Sequence, residues 1–96
     1  MSETPMQLLT IVGEAILEDW IIEDIRRLGA RGYTITDARG SGTHGTRRGN
    51  WKAGGNIRVE VVGPEPLCRS IADHLAREYE QDYGLLMFTS PVTLRN

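Results

Sequence analysis

Ile57-Arg58-Val59-Glu60-Val61-Val62-Gly63-Pro64-Glu65-Pro66-Leu67-Cys68 changes its period halfway along, and the fold follows from that change. Residues 57–62 alternate, with Ile57, Val59 and Val61 on one face against Arg58 and Glu60, the pattern of a half-buried strand. Gly63 and Pro64 end it. Pro66 suits the first turn of a helix, where its missing N–H would be unpaired anyway. From there Cys68, Ile71, Ala72, Leu75 and Tyr79 recur at helical spacing and predict a buried stripe.

The same alternation of strand and helix extends to both sides. Residues 8–12 form a short apolar run ending at Gly13, which predicts a buried strand. Leu17, Ile21, Ile25 and Leu28 then trace one face of a helix over residues 15–28, closed by Gly29, whose missing Cβ permits a left-handed C-cap. Trp20 and Ile22 lie off that stripe and are candidates for a second surface, such as a subunit contact. Residues 32–38, Gly-Tyr-Thr-Ile-Thr-Asp-Ala, predict a second strand. After Gly84, residues 85–88 predict a fourth, limited by Pro91. The order is β-α-β-β-α-β, an α+β, ferredoxin-like arrangement in a single domain over residues 1–96.

Strands two and three would form a hairpin, yet residues 40–55 between them far exceed a usual hairpin loop of about 2–5 residues. This segment holds six of the eleven glycines. From residue 38 to 59 the basic residues are Arg39, Arg47, Arg48, Lys52 and Arg58, with no acid, a charge of +5. The remaining chain holds six basic and thirteen acidic residues, hence −7. A positive segment on an acidic body suits a small anion or an acidic partner, whereas a net charge of −2 disfavours general nucleic-acid or membrane binding. Glycines let backbone N–H groups converge on an anion, and Ser41, Thr43 and Thr46 add hydroxyls. The guanidinium groups of Arg47 and Arg48 can grip phosphate or carboxylate at two points. The competing reading is a solvated hairpin tip kept soluble by its charge.

Other motifs exclude more than they propose. Gly-x-x-x-x-Gly-Lys-Ser/Thr is absent, and Gly40-Ser-Gly42 with Gly45 precedes no helix, so neither nucleotide fingerprint applies. Trp51 leaves three readings open: stacking on a base, covering a folded-back loop, or meeting a partner. His44 and His74 fall in different elements, and Cys68 lies on an apolar stripe, so no metal-ligand spacing or catalytic constellation is readable. Asp82 and Tyr83 before Gly84 mark either a solvated turn or a bend that approaches a ligand. The single cysteine fits a reducing compartment, and residues 1–7 lack the pattern of a secretory signal, which together predict a cytoplasmic location.

Gly32-Tyr-Thr-Ile-Thr36, Gly40-x-Gly42, the long loop, Asn56-Ile-Arg-Val-Glu60 and Asp82-Tyr-Gly84 together resemble the PII signalling superfamily. The likeness runs from the first strand to Pro91 and is nearest to the PII-like proteins of inorganic-carbon physiology, the SbtB type and the carboxysome-associated (CPII) branch. Gly40, Gly42, Thr43 and Arg47 match the Gly-x-Gly-(Ser/Thr)-x-x-x-Arg start of their T-loop. The resemblance implies a non-catalytic homotrimer with nucleotide sites between subunits. It implies an adenine nucleotide, ADP or AMP foremost with cyclic AMP and ATP as further options, near Thr34 and Glu60, Val61 and Val62 at the base and ribose. Gly40, Gly42, Thr43 and Arg47, with Tyr83, Gly84, Leu85 and Leu86, would face the phosphates.

Bicarbonate is an implied co-ligand, with Arg47, Arg58 or Lys52 as its holders. Arg48 and Trp51 would form a partner-binding loop tip, and the implied partner is a membrane bicarbonate transporter or a carboxysome-linked protein. The departures narrow this expectation. The loop lacks the tyrosine that nitrogen-sensing PII proteins modify, Asn56 stands where those proteins place a lysine on 2-oxoglutarate, and His44 replaces a metal-binding glutamine. Arg95 is the only late basic residue, which favours a ligand with few phosphates, and the C-terminal cysteine pair of the SbtB type is missing. The rival readings are a small nucleotide-hydrolysing enzyme on the same fold and an interaction module without a small ligand.

Overall fold

The computed structural model describes residues 4–40 and 55–96. Four strands form one antiparallel sheet in the order β2-β3-β1-β4, and two helices cover one of its faces. The strands are β1 (Thr4–Glu14), β2 (Thr34–Ala38), β3 (Asn56–Gly63) and β4 (Leu86–Leu94). A 3₁₀ turn, Ala15–Leu17, leads into helix α1 (Glu18–Arg27), and helix α2 spans Glu65–Tyr79. Each helix links two strands that run parallel with a third between them, so the ferredoxin-like expectation holds.

The core is the covered face. In register, Leu9 pairs with Val61 and Ile11 with Val59, and all four are fully buried. Leu17, Ile21 and Ile25 from the first helical segment and Cys68, Ile71 and Leu75 from α2 close over them. Both apolar stripes seen in the sequence are therefore the ones that pack. Gly29 ends α1 at φ 115°. Its N–H donates to the Arg26 carbonyl at 3.1 Å and the Ala30 N–H to the Ile25 carbonyl at 2.9 Å, the paired bonds of a Schellman motif. Gly55, at φ 77°, turns the chain into β3. Its carbonyl accepts the Ala15 N–H at 3.0 Å, which ties the foot of the long connection to the end of β1.

Three boundaries differ from those read in the sequence. β1 begins at Thr4 and passes through Gly13, where a Cβ would meet Leu85 Cδ2 at 2.7 Å. The glycine marks close packing there and not a strand end. β4 continues through Pro91, which pairs with Gln7. A proline removes one donor, and an edge strand such as β4 needs donors on one side only. β2 starts at Thr34, leaving Gly32 and Tyr33 as the approach to it.

Candidate functional site

The uncovered sheet face is built by the even-numbered residues of β1 and β3, because side chains alternate across a strand. One row reads Thr34, Glu60, Thr10, Phe88 across all four strands, and the next reads Thr36, Arg58, Val12, Leu86. Leu8 pairs with Val62 on the same face. Val62, Leu86 and Phe88 are 42%, 42% and 48% exposed, so this face carries an apolar surface that no helix covers. Thr10, between Glu60 and Phe88, is fully buried even here, and its Oγ1 has no hydrogen-bond partner among the described residues.

At the β2–β3 edge of this face lies an open groove of about 270 Å³, lined by Leu8, Gly32, Tyr33, Thr34, Glu60 and Val62. Three residues proposed for the base and ribose, Thr34, Glu60 and Val62, thus line one concavity. The threonine can donate or accept a hydrogen bond, the carboxylate only accepts, and Leu8 and Val62 supply apolar wall. That donor and acceptor set suits hydroxyl or amine groups beside a flat apolar body. Glu60 is held by Arg58, whose Nη2 lies 3.2 Å from Glu60 Oε2 in a half-exposed ion pair. Arg58 is thereby directed at a carboxylate, which weakens its candidacy as a bicarbonate holder.

The remaining candidates separate by position. The Val61 side chain is fully buried and Leu85 is 5% exposed, both inside the core, so only their backbone groups are left for a ligand. Gly84 is buried, and the Tyr83 N–H donates to the Tyr79 carbonyl at 2.8 Å while its ring packs against the core. Leu86 opens β4 opposite Val12. Thr34 on β2 and Leu86 on β4 are three strands apart, roughly 14 Å at about 4.8 Å per strand step, so residues 83–86 and the groove do not meet within one chain. Gly40 is exposed, with nothing within 4 Å of a Cβ placed there. Gly42, Thr43, Arg47, Arg48, Trp51 and Lys52 lie outside the described residues. Tyr33 and Leu8 were not read as site residues. Tyr33 was detectable as an aromatic ring beside Thr34, whereas Leu8 reads in sequence only as part of an apolar run.

Among the described residues no group of three or more His, Cys, Asp or Glu side chains is placed to hold a metal, and no helix is long and apolar enough to cross a membrane. Cys68 is 1% exposed, its thiol near the Gln7 and Gly63 carbonyls at 3.7 and 3.8 Å. Burial pushes that thiol above its ordinary pKa, so it is a packing group and not a nucleophile.

The family model of nitrogen regulatory protein P-II matches residues 6–94. The chain belongs to the P-II family. A PII-like signalling protein from Thermus thermophilus shares 40% identity, with 98% of this chain and 93% of that one aligned at a TM-score of 0.83. CPII from Thiomonas intermedia, a nitrogen regulatory PII-like protein in a structure bound to ADP, AMP and bicarbonate, aligns at a TM-score of 0.82. It shares 20% identity over 99% of this chain and 98% of that one, and so shows the common fold. The groove and the bare apolar sheet face therefore lie on a P-II family fold.

Proposed function

We propose that this P-II family member is a non-catalytic, homotrimeric regulator in the cytoplasm that senses adenine nucleotides and bicarbonate. The observation that carries the reading is the groove of Thr34, Glu60 and Val62 at the rim of a bare apolar sheet face. The apolar face is the subunit contact, and the groove is one half of the ligand site. A second subunit supplies the other half, because residues 83–86 lie roughly 14 Å from Thr34 within a chain, by strand spacing. ADP or AMP is the ligand, with cyclic AMP and ATP as weaker alternatives, and CPII of the same fold binds ADP, AMP and bicarbonate.

In this reading Glu60 accepts hydrogen bonds from ribose hydroxyls or the exocyclic amine, and Thr34 completes that set. Gly40, Gly42, Thr43 and Arg47, with backbone groups of residues 83–86, take the phosphates. Arg47 and Lys52 hold bicarbonate, Arg58 being paired with Glu60. The loop tip with Arg48 and Trp51 transmits the ligand state to a bicarbonate transporter or carboxysome-linked protein. Isothermal titration with AMP, ADP, ATP and cyclic AMP, each with and without bicarbonate, tests it. Saturable heat with ADP or AMP and no nucleotide turnover is the expected result. No heat with any of the four would refute the sensor, and steady turnover lost in Arg47→Ala would favour a hydrolase.

A further inference from the structure

Opposite the sheet, the helical layer carries a second exposed apolar surface. Trp20 on α1 is 52% exposed and Ile16, one turn earlier, is 73% exposed. The indole stacks on the Tyr79 ring of α2, with centroids 6.1 Å apart and planes 13° from parallel. That stack is anchored from behind. Tyr79 Oη donates to Asp24 Oδ2 at 2.6 Å, Arg27 Nη2 donates to Asp24 Oδ1 at 2.9 Å, and His74 Nε2 lies 3.3 Å from Asp24 Oδ2. Holding two aromatic side chains in one orientation lowers the entropy that a partner would otherwise have to remove on binding. Trp20 thus packs beside a held Tyr79 ring while about half of its surface stays exposed.

The surroundings of that indole are acidic. Asp19 flanks Trp20 on α1, Glu23 lies three residues on along the same face, and Glu78 adjoins Tyr79 on α2, all exposed. Glu80 and Asp82 follow at the end of α2, both exposed. Arg27 is engaged by Asp24, while Arg26 near the end of α1 and Arg77 near the end of α2 are also exposed.

We propose that the surface formed by Trp20 on α1 and Ile16 in the 3₁₀ turn before it docks a basic, arginine-bearing segment of a partner protein. A guanidinium lies against the exposed part of the indole, Asp19 and Glu23 take its N–H groups, and Ile16 covers the aliphatic stem. Arginine is preferred over lysine because its planar cation stacks and forks at once. The surface lies on the helical side of the sheet, away from the groove, and does not depend on the nucleotide reading.

The test uses the full chain with Trp51→Phe, which leaves Trp20 as the only tryptophan. The probe is an eight-residue peptide of alternating arginine and glycine, compared with its lysine and glutamate counterparts at low salt. A saturable change in Trp20 emission is expected with the arginine peptide, weaker with lysine and absent with glutamate. By calorimetry on the same background, Trp20→Ala weakens binding about two- to fivefold, the worth of an exposed cation–π contact. The Asp19→Asn/Glu23→Gln double variant, at exposed positions that leave the fold intact, also weakens it and flattens its salt dependence. The proposal is overturned by no saturable signal, by equal binding of the lysine peptide and of Trp20→Ala, or by unchanged affinity in the double variant. It is also overturned if Trp20→Ala alters the sedimentation coefficient, which would make this face a contact between copies.

Discussion

The two faces of the sheet both carry apolar side chains, but the bare face mixes them with Thr10, Thr34, Glu60 and Arg58, and the two meet different fates. On the covered face, Leu9, Ile11, Val59 and Val61 are fully buried under two helices of the same chain. On the bare face, Val62, Leu86 and Phe88 stay 42–48% exposed around a buried Thr10. A strand whose two faces are both apolar, as in residues 8–12, belongs to a sheet buried on both sides. One chain provides cover for one side only. The covered face makes the domain, and in the proposed reading a second copy closes the bare face.

Substitutions can separate the two faces. The largest effect on stability is expected from Ile71→Ala, fully buried beneath α2, at about 2–5 kcal/mol in denaturant unfolding. A loss below about 1 kcal/mol would mean the covered face is not the core. Phe88→Glu on the bare face should leave the chain folded by circular dichroism and convert a trimer to a monomer in sedimentation. Tyr79→Phe removes one hydrogen bond to a carboxylate between the helices and should cost about 1–2 kcal/mol without changing the sedimentation coefficient.

A pH series sharpens the same point. Burial opposes the charge on Asp24, but hydrogen bonds from Tyr79 and Arg27, with His74 nearby, outweigh it and hold the carboxyl below its ordinary range. A depressed carboxylate stabilises the fold above its unfolded value, about 3.9, and that contribution fades as pH falls through the lower folded value. Unfolding free energy of Asp24→Asn should therefore fall less steeply than wild type below about pH 4. The smallest effect is expected at Gly29→Ala, about 1 kcal/mol, from forcing a side chain into a backbone with φ 115°.

Much of the covered face was legible in the sequence because its signals are local. Leu17, Ile21 and Ile25 repeat at helical spacing and Ile57, Val59 and Val61 at strand spacing, and those residues are the core. Gly29 was readable for the same reason, since a C-cap involves only neighbours in sequence. Gly13 and Pro91 were misread because their roles depend on distant partners, Leu85 against the one and Gln7 beside the other. The groove was half legible. Likeness to a family picked out Thr34, Glu60 and Val62, but it did not reveal that Val61 and Leu85 point into the core, that Arg58 is paired with Glu60, or that Tyr33 lines the wall. Trp20 stood out as an off-stripe aromatic, while its stack on Tyr79 needed both helices in place.

The central claim is that the groove becomes a nucleotide site only when the bare sheet face is closed by another copy. Calorimetric titration of ADP into wild type and into the Phe88→Glu monomer tests it directly, because Phe88 does not line the groove and Thr34, Glu60 and Val62 are unchanged. Saturable binding by the trimer and none by the folded monomer is the predicted result. Binding by the monomer at wild-type affinity would contradict it.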